Sequence, residues 1–272
     1  MITRVGTMVL LALALVGLFD RASAEVVVEI ATRPAVRLRA LLDKPERPIG
    51  SIILLAGGNG NLALQTNGNI GWLKGNQLVR SRDQYAEAGF ATLVPDLAPD
   101  LKQGADVRPR YRWSEPHARD IGAMVTYLRA IAEPVVLVGT SRAALSVVNA
   151  AVRLTGKARP DALVITSGML MQVDGFQPSV ERMIGRLDRV TQPMLLVAHK
   201  DDGCAFTPAS SVGAFKMLPT HARVDSVVLR GGPEGFGDPC GAYGHHGFFG
   251  QDEEVVAAIV RWITGLREVK LR

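Results

Sequence analysis

Residues 135–148 read Val-Val-Leu-Val-Gly-Thr-Ser-Arg-Ala-Ala-Leu-Ser-Val-Val. An apolar, β-branched run stops at Gly139-Thr140-Ser141-Arg142-Ala143, and an Ala/Val/Leu-rich stretch of helical character follows. The pattern is a close variant of G-x-S-x-G, in which a strand turns so sharply into a helix that the residues two before and two after the serine must be small. Gly139 meets that need, and Ala143 supplies the next smallest side chain. Such a turn holds a hydroxyl out at the end of a sheet. It also aims a helix N-terminus, with free N–H groups and positive dipole, at the same place. The chemistry implied is attack by the Ser141 oxygen, with donors nearby for the negative charge that develops.

A serine hydroxyl is a weak nucleophile until a base takes its proton, and the base must be oriented. Two loops offer the parts, each just past an expected strand. His199-Lys200-Asp201-Asp202-Gly203-Cys204 follows the strand 194–198, and His245-His246-Gly247-Phe248 lies in the glycine-rich region after the strand 224–229. Counting from His199 as the strand-end position favours Asp202 as the acid, with Asp201 as the alternate. The Gly-Phe pair directly after His246 favours it as the base, with His245 as the alternate. One oxyanion donor is expected at the Arg142 N–H, the other in Ala56-Gly57-Gly58-Asn59-Gly60-Asn61, at Gly58 or Asn59. That glycine cluster lacks the Lys-Ser/Thr of a P-loop and the spacing of a dinucleotide fingerprint. The tandem histidines match no known metal-ligand spacing, so no metal and no cofactor is expected. His117 and His221 are expected at the surface.

On these residues the chain resembles the α/β-hydrolase superfamily over nearly its whole length. Three places carry the likeness: the turn at 139–143, the acid loop at Asp201-Asp202, and His-Gly-Phe before the last helix, which is similar to dienelactone-hydrolase-like members. The resemblance implies Ser141 as nucleophile, Asp202 as acid and His246 as base, in the chain order Ser, Asp, His. It departs from the family pattern at Ala143, where a glycine is usual.

The elements that must position these groups alternate between strand-like and helix-like patterns, which implies a mostly parallel central sheet with helices on both faces. Strands are expected at 26–30, 35–41, 51–55, 90–94, 135–138, 162–165, 194–198 and 224–229, the first two as a hairpin. Helices are expected at 80–88, at 142–154, at 209–217 and after Ser114, which suits an N-cap with Pro116 in the first turn. A closing amphipathic helix has Asp252 as its expected cap and a buried face of Val255, Val256, Ile259, Val260, Ile263 and Leu266. Residues 96–111 read as irregular. Only 167–191 leaves room for a flap, so no large cap domain is expected.

Arg4, an apolar run at 8–19 and Ala22-Ser23-Ala24 together read as a cleavable secretory signal over 1–24, leaving one α/β domain at 25–272. This implies an exported protein, periplasmic or secreted, with no stable membrane insertion once the signal is removed. In that setting Cys204 and Cys240 read as a disulfide, worth ~3–4 kcal/mol by chain entropy. The net charge of +5 is scattered and argues against a nucleic-acid partner. The densest cluster, Arg108, Arg110 and Arg112, reads as a solvated loop. The function expected is hydrolysis of a small-molecule ester or related acyl bond. A peptidase, an acyltransferase or a non-catalytic envelope binding protein could use the same scaffold.

Overall fold

Valine, isoleucine and leucine dominate the central strands at consecutive positions because both faces of the sheet are covered. In the computed structural model Ile53, Leu55, Leu137 and Ile165 face one helical layer. Their neighbours Ile52, Leu54, Val136 and Val164 face the other. The description covers residues 25–103, 106–107, 110–173, 175 and 178–270. The expected leader, 1–24, and Arg108 lie outside it. Among the described residues no helix is long and apolar enough to cross a membrane.

The strands are β1 (Val26–Arg33), β2 (Val36–Asp43), β3 (Ser51–Leu55), β4 (Ala91–Pro95), the two-residue pair β5 (Lys102–Gln103) and β6 (Asp106–Val107), then β7 (Val135–Thr140), β8 (Ala162–Thr166), β9 (Met194–His199) and β10 (Val224–Leu229). The main sheet has eight strands in the order β1-β2-β4-β3-β7-β8-β9-β10. The β1–β2 and β2–β4 pairs are antiparallel, and the remaining pairs of that sheet are parallel. Leu55 pairs with Gly139, and Gly139 with Ile165, so the C-terminal ends of β3, β7 and β8 lie level. Open α/β sheets place their ligand sites at that edge.

The helices are α1 (Gln77–Arg80), α2 (Arg82–Glu87), α3 (Glu115–Arg129), α4 (Ala144–Arg153), α5 (Val180–Met183), α6 (Ser211–Phe215) and α7 (Asp252–Lys270). One core packs α3 and α4 against the sheet; the other packs α1, α2 and α7 against its opposite face. The single helix expected over 80–88 is instead two, parted at Ser81, whose hydroxyl donates back to the Gln77 carbonyl at 2.7 Å. Ser114 caps α3 as expected, accepting from the His117 N–H. Asp252 does not act as the cap of α7. It is the first helical residue, and its carboxylate takes Arg80 at 2.9 Å.

His117 and Arg112 also depart from expectation, for a shared reason. Arg112 is buried, 3% exposed, not a solvated loop residue, and His117 is buried rather than at the surface. Ser146 Oγ on α4 lies 2.9 Å from Arg112 Nη1 and 2.9 Å from His117 Nε2, joining the two. The guanidinium can only donate, so the Ser146 proton goes to a neutral His117 ring. Burial first, then the charges of Arg112 and Arg33, push the His117 pKa down to about 3 from 6.5. Between those values the unfolded chain binds a proton that the native state refuses, so stability falls as pH drops through this window. The loss attributable to His117 is ~2 kcal/mol by pH 5. Denaturant unfolding from pH 7 to pH 4.5 should show a flatter stability profile for His117→Gln than for wild type. Equal slopes would remove His117 as the cause.

Candidate active site

The turn after β7 brings the Ser141 hydroxyl to the sheet edge. Thr140 ends the strand, residues Ser141–Ala143 form one 3-10 turn, and α4 starts at Ala144. Ser141 itself is left-handed, with φ +54°, a conformation L-residues adopt at a cost of about 1 kcal/mol or more. Sterics enforce the small neighbours: a Cβ on Gly139 would lie 2.6 Å from Val147 Cγ2 and 2.9 Å from the Ala143 carbonyl oxygen. Ala143 is tolerated because it is already right-handed (φ −70°) and buried. The loop after β3 comes equally close, since a Cβ on Gly57 would stand 3.2 Å from Ser141 Cβ.

That loop is held by a buried acid. Asp96, just past β4, accepts from the N–H groups of Leu62 at 2.8 Å, Leu64 at 3.0 Å and Leu97 at 2.7 Å, and pairs with Lys102 at 2.7 Å. Charge-assisted bonds of this kind are roughly twice as strong as neutral ones. A cavity of about 440 Å³ opens in front of the loop, and its wall includes Gly58, Leu73, Lys74, Ser141, Tyr243 and His246. Asn59 lies away from this wall: its carbonyl accepts from the Tyr111 hydroxyl and its side chain accepts from the Asn61 N–H. Arg142 is exposed.

Asp202 and His246 meet across 44 residues of chain. His246 Nδ1 lies 3.1 Å from Asp202 Oδ2, both side chains almost fully buried. Thr207, which sequence reasoning did not single out, completes the group. Its hydroxyl is 2.8 Å from Asp202 Oδ2 and 3.0 Å from His246 Nδ1. Asp202 Oδ1 meanwhile accepts from the Cys204 N–H at 2.9 Å. The carboxylate only accepts, so the single Thr207 proton points at it, and Thr207 Oγ1 must accept from Nδ1–H. The neutral ring therefore keeps its lone pair on Nε2, the nitrogen free of these partners.

The alternates are placed otherwise. Asp201 is exposed, and His245 lies with Nδ1 3.2 Å from the Asp201 backbone oxygen, its ring stacked on His199 at 4.3 Å. His199 is buried at the end of β9, where Nδ1 accepts from the Asp201 N–H and Nε2 donates to the Gly231 carbonyl. Burial, with His245 adding to it, holds its pKa below the usual histidine value.

Two cross-links fix the loops. The Cys204–Cys240 disulfide is present, with Cα atoms 4.5 Å apart, and it joins the acid loop to the loop before His246. Arg80 is the second, also without a sequence signal. It donates to the carbonyls of Gly75 at 2.6 Å, Ala242 at 2.9 Å and Gly247 at 2.6 Å while paired with Asp252. The described part of 167–191, which contains α5, does not border the cavity; it folds back on itself, the Val180 and Glu181 N–H groups donating to the Met169 and Leu170 carbonyls. Among the described residues no three His, Cys, Asp or Glu side chains group as metal ligands would.

No protein-family model matches the sequence, and no curated protein does. Solved structures do share the architecture. The chain is similar to a dienelactone hydrolase from Anabaena variabilis (17% identity, 89% of this chain and 98% of that one covered, TM-score 0.60). It is similar to a CIB-like hydrolase from Thermoplasma acidophilum (15%, 89% and 99%, TM-score 0.59). A third is Est1E from Butyrivibrio proteoclasticus with ferulic acid bound (18%, 88% and 98%, TM-score 0.59). With its strand order, its tight turn between β7 and α4 and these likenesses, the chain has the α/β-hydrolase fold, with no large cap domain among the described residues.

Proposed function

We propose that this protein is a serine hydrolase that cleaves an ester or related acyl bond of a small molecule. One observation carries the reading: Ser141, on its left-handed bend, shares a cavity with His246, whose Nδ1 is anchored on Asp202 and Thr207. In this reading Ser141 Oγ attacks the carbonyl carbon while His246 Nε2 takes the hydroxyl proton. The tetrahedral oxyanion is held by the Arg142 N–H and the Gly58 N–H. Gly58 is preferred to Asn59 because Gly58 borders the cavity. As the C–O bond breaks, His246 returns the proton to the leaving alcohol. Water, deprotonated by the same nitrogen, then attacks the acyl-serine, releasing the acid and restoring Ser141. Asp202 stays ionised throughout and favours the imidazolium formed in each step. The dienelactone hydrolase and the CIB-like hydrolase on this fold support that class of reaction. We also propose export after removal of residues 1–24, because a disulfide persists in oxidising compartments.

A fluorophosphonate probe tests the assignment. Wild type should be labelled at Ser141 and should hydrolyse short p-nitrophenyl esters, and Ser141→Ala should lose both. A folded wild type that takes no label and turns over no ester would end the hydrolase reading in favour of a binding role.

A further inference from the structure

The wall behind the loop after β3 holds a charge that the proposed mechanism does not use. Arg112 lies in the 3-10 turn Tyr111–Trp113. Its Nη2 donates to three successive carbonyls: Ala56 at 2.8 Å, Gly57 at 3.2 Å and Gly58 at 3.1 Å. Its Nη1 donates to Ser146 Oγ. No carboxylate among the described residues pairs with it. Burial accordingly lowers its pKa, though an arginine stays charged in proteins. A buried cation with no counter-charge is costly, and hydrogen bonds to the four oxygens offset that cost.

The loop it grips is a partition. Gly57 and Gly58 border the cavity of Ser141 on one side, while Ala56 and Gly60 border a small pocket with Tyr111, Arg112 and His117 on the other. In a trans peptide the C=O and the following N–H point in opposite directions. Carbonyls of residues 56 and 57 drawn back onto the guanidinium therefore turn the N–H groups of Gly57 and Gly58, which border the cavity, toward the Ser141 side. We propose that Arg112 is the positioning residue of the oxyanion loop, gripping the carbonyls of residues 56–58 from behind so that the Gly58 N–H faces the oxygen that becomes negative in the reaction. The aligned peptide dipoles also carry the field of an unneutralised cation to that oxygen, where preorganised positive potential is most effective. Tyr111 assists, its hydroxyl donating to the Asn59 carbonyl at 2.9 Å. The inference rests on the serine-hydrolase reading.

The test compares wild type, Arg112→Lys, Arg112→Met and Tyr111→Phe in steady-state p-nitrophenyl ester hydrolysis, in inhibition by a boronic acid that forms a tetrahedral adduct on serine, and in thermal unfolding. A lysine ammonium cannot span three carbonyls and Ser146. Arg112→Lys should lose about 100-fold in kcat with KM within threefold, since one oxyanion donor is worth roughly that much. Boronic acid affinity should fall in step with kcat. Tyr111→Phe, the milder change, should show the same split at about tenfold and keeps the test open if Arg112→Met does not fold. A folded Arg112→Lys with kcat within twofold of wild type overturns the proposal, as does a kcat loss that leaves boronic acid affinity unchanged. Failure of the hydrolase reading looks different: wild type itself would then show neither turnover nor label, and both proposals fall.

Discussion

Replacing Asp202 by asparagine should lower kcat by about four orders of magnitude while KM stays within a few fold. The size follows from where each atom of the new amide must go. The Cys204 N–H, 2.9 Å from Oδ1, needs an acceptor, so the amide oxygen takes that position. The amide NH₂ then occupies the Oδ2 position, facing Thr207 Oγ1 and His246 Nδ1. A donor facing Nδ1 drives the ring proton to Nε2, which presents a proton to Ser141 where a lone pair is needed. The fold should be retained, because the hydrogen bonds are exchanged rather than lost. Asp201→Asn, at an exposed position, should stay within twofold of wild type in the same assay. Equal losses in the two variants would show that the acid has been assigned to the wrong residue.

The second large effect concerns the disulfide. Cys204 and Cys240 are 36 residues apart, and opening a loop of that length removes about 4 kcal/mol by chain entropy. For a chain of this size that is roughly a 10 °C fall in Tm. The Cys204→Ala/Cys240→Ala double variant should also lose about tenfold in kcat, a typical penalty for a small misplacement of catalytic groups. Cys204 supplies the N–H that holds Asp202, and Cys240 borders the cavity beside His246. Thermal unfolding and ester kinetics on the double variant check both parts. An unchanged Tm would show that the loops are held by other contacts, with Arg80 the first to examine.

Much of this architecture could be read from the chain. The strands at 51–55 and 224–229 coincide with β3 and β10, and the other expected strands differ by one to three residues at their ends, because uninterrupted β-branched runs bounded by turn residues leave little choice. The bend at Ser141 was legible because sterics require small residues at fixed offsets from it. What escaped were polar residues whose partners lie far along the chain. Thr207 sits five residues past Asp202 with nothing in its neighbourhood to distinguish it from any loop threonine. Arg80 carries no pattern either, since its acceptors are carbonyls as distant as residue 247. Arg112 was misplaced by its company. Arginines flanking prolines and a tyrosine suggest a wet loop, yet the 3-10 turn at 111–113 directs this one inward. His117 followed it inside, on the buried face of α3.

The positive φ at Ser141 bears on how such a scaffold would drift if its chemistry were no longer selected. Glycine would occupy that bend free of the Cβ clash, a relief of roughly 1 kcal/mol. Any descendant kept only for holding a ligand would gain robustness by discarding the hydroxyl, which makes the choice between serine and glycine at this bend a readout of whether a lineage uses the oxygen.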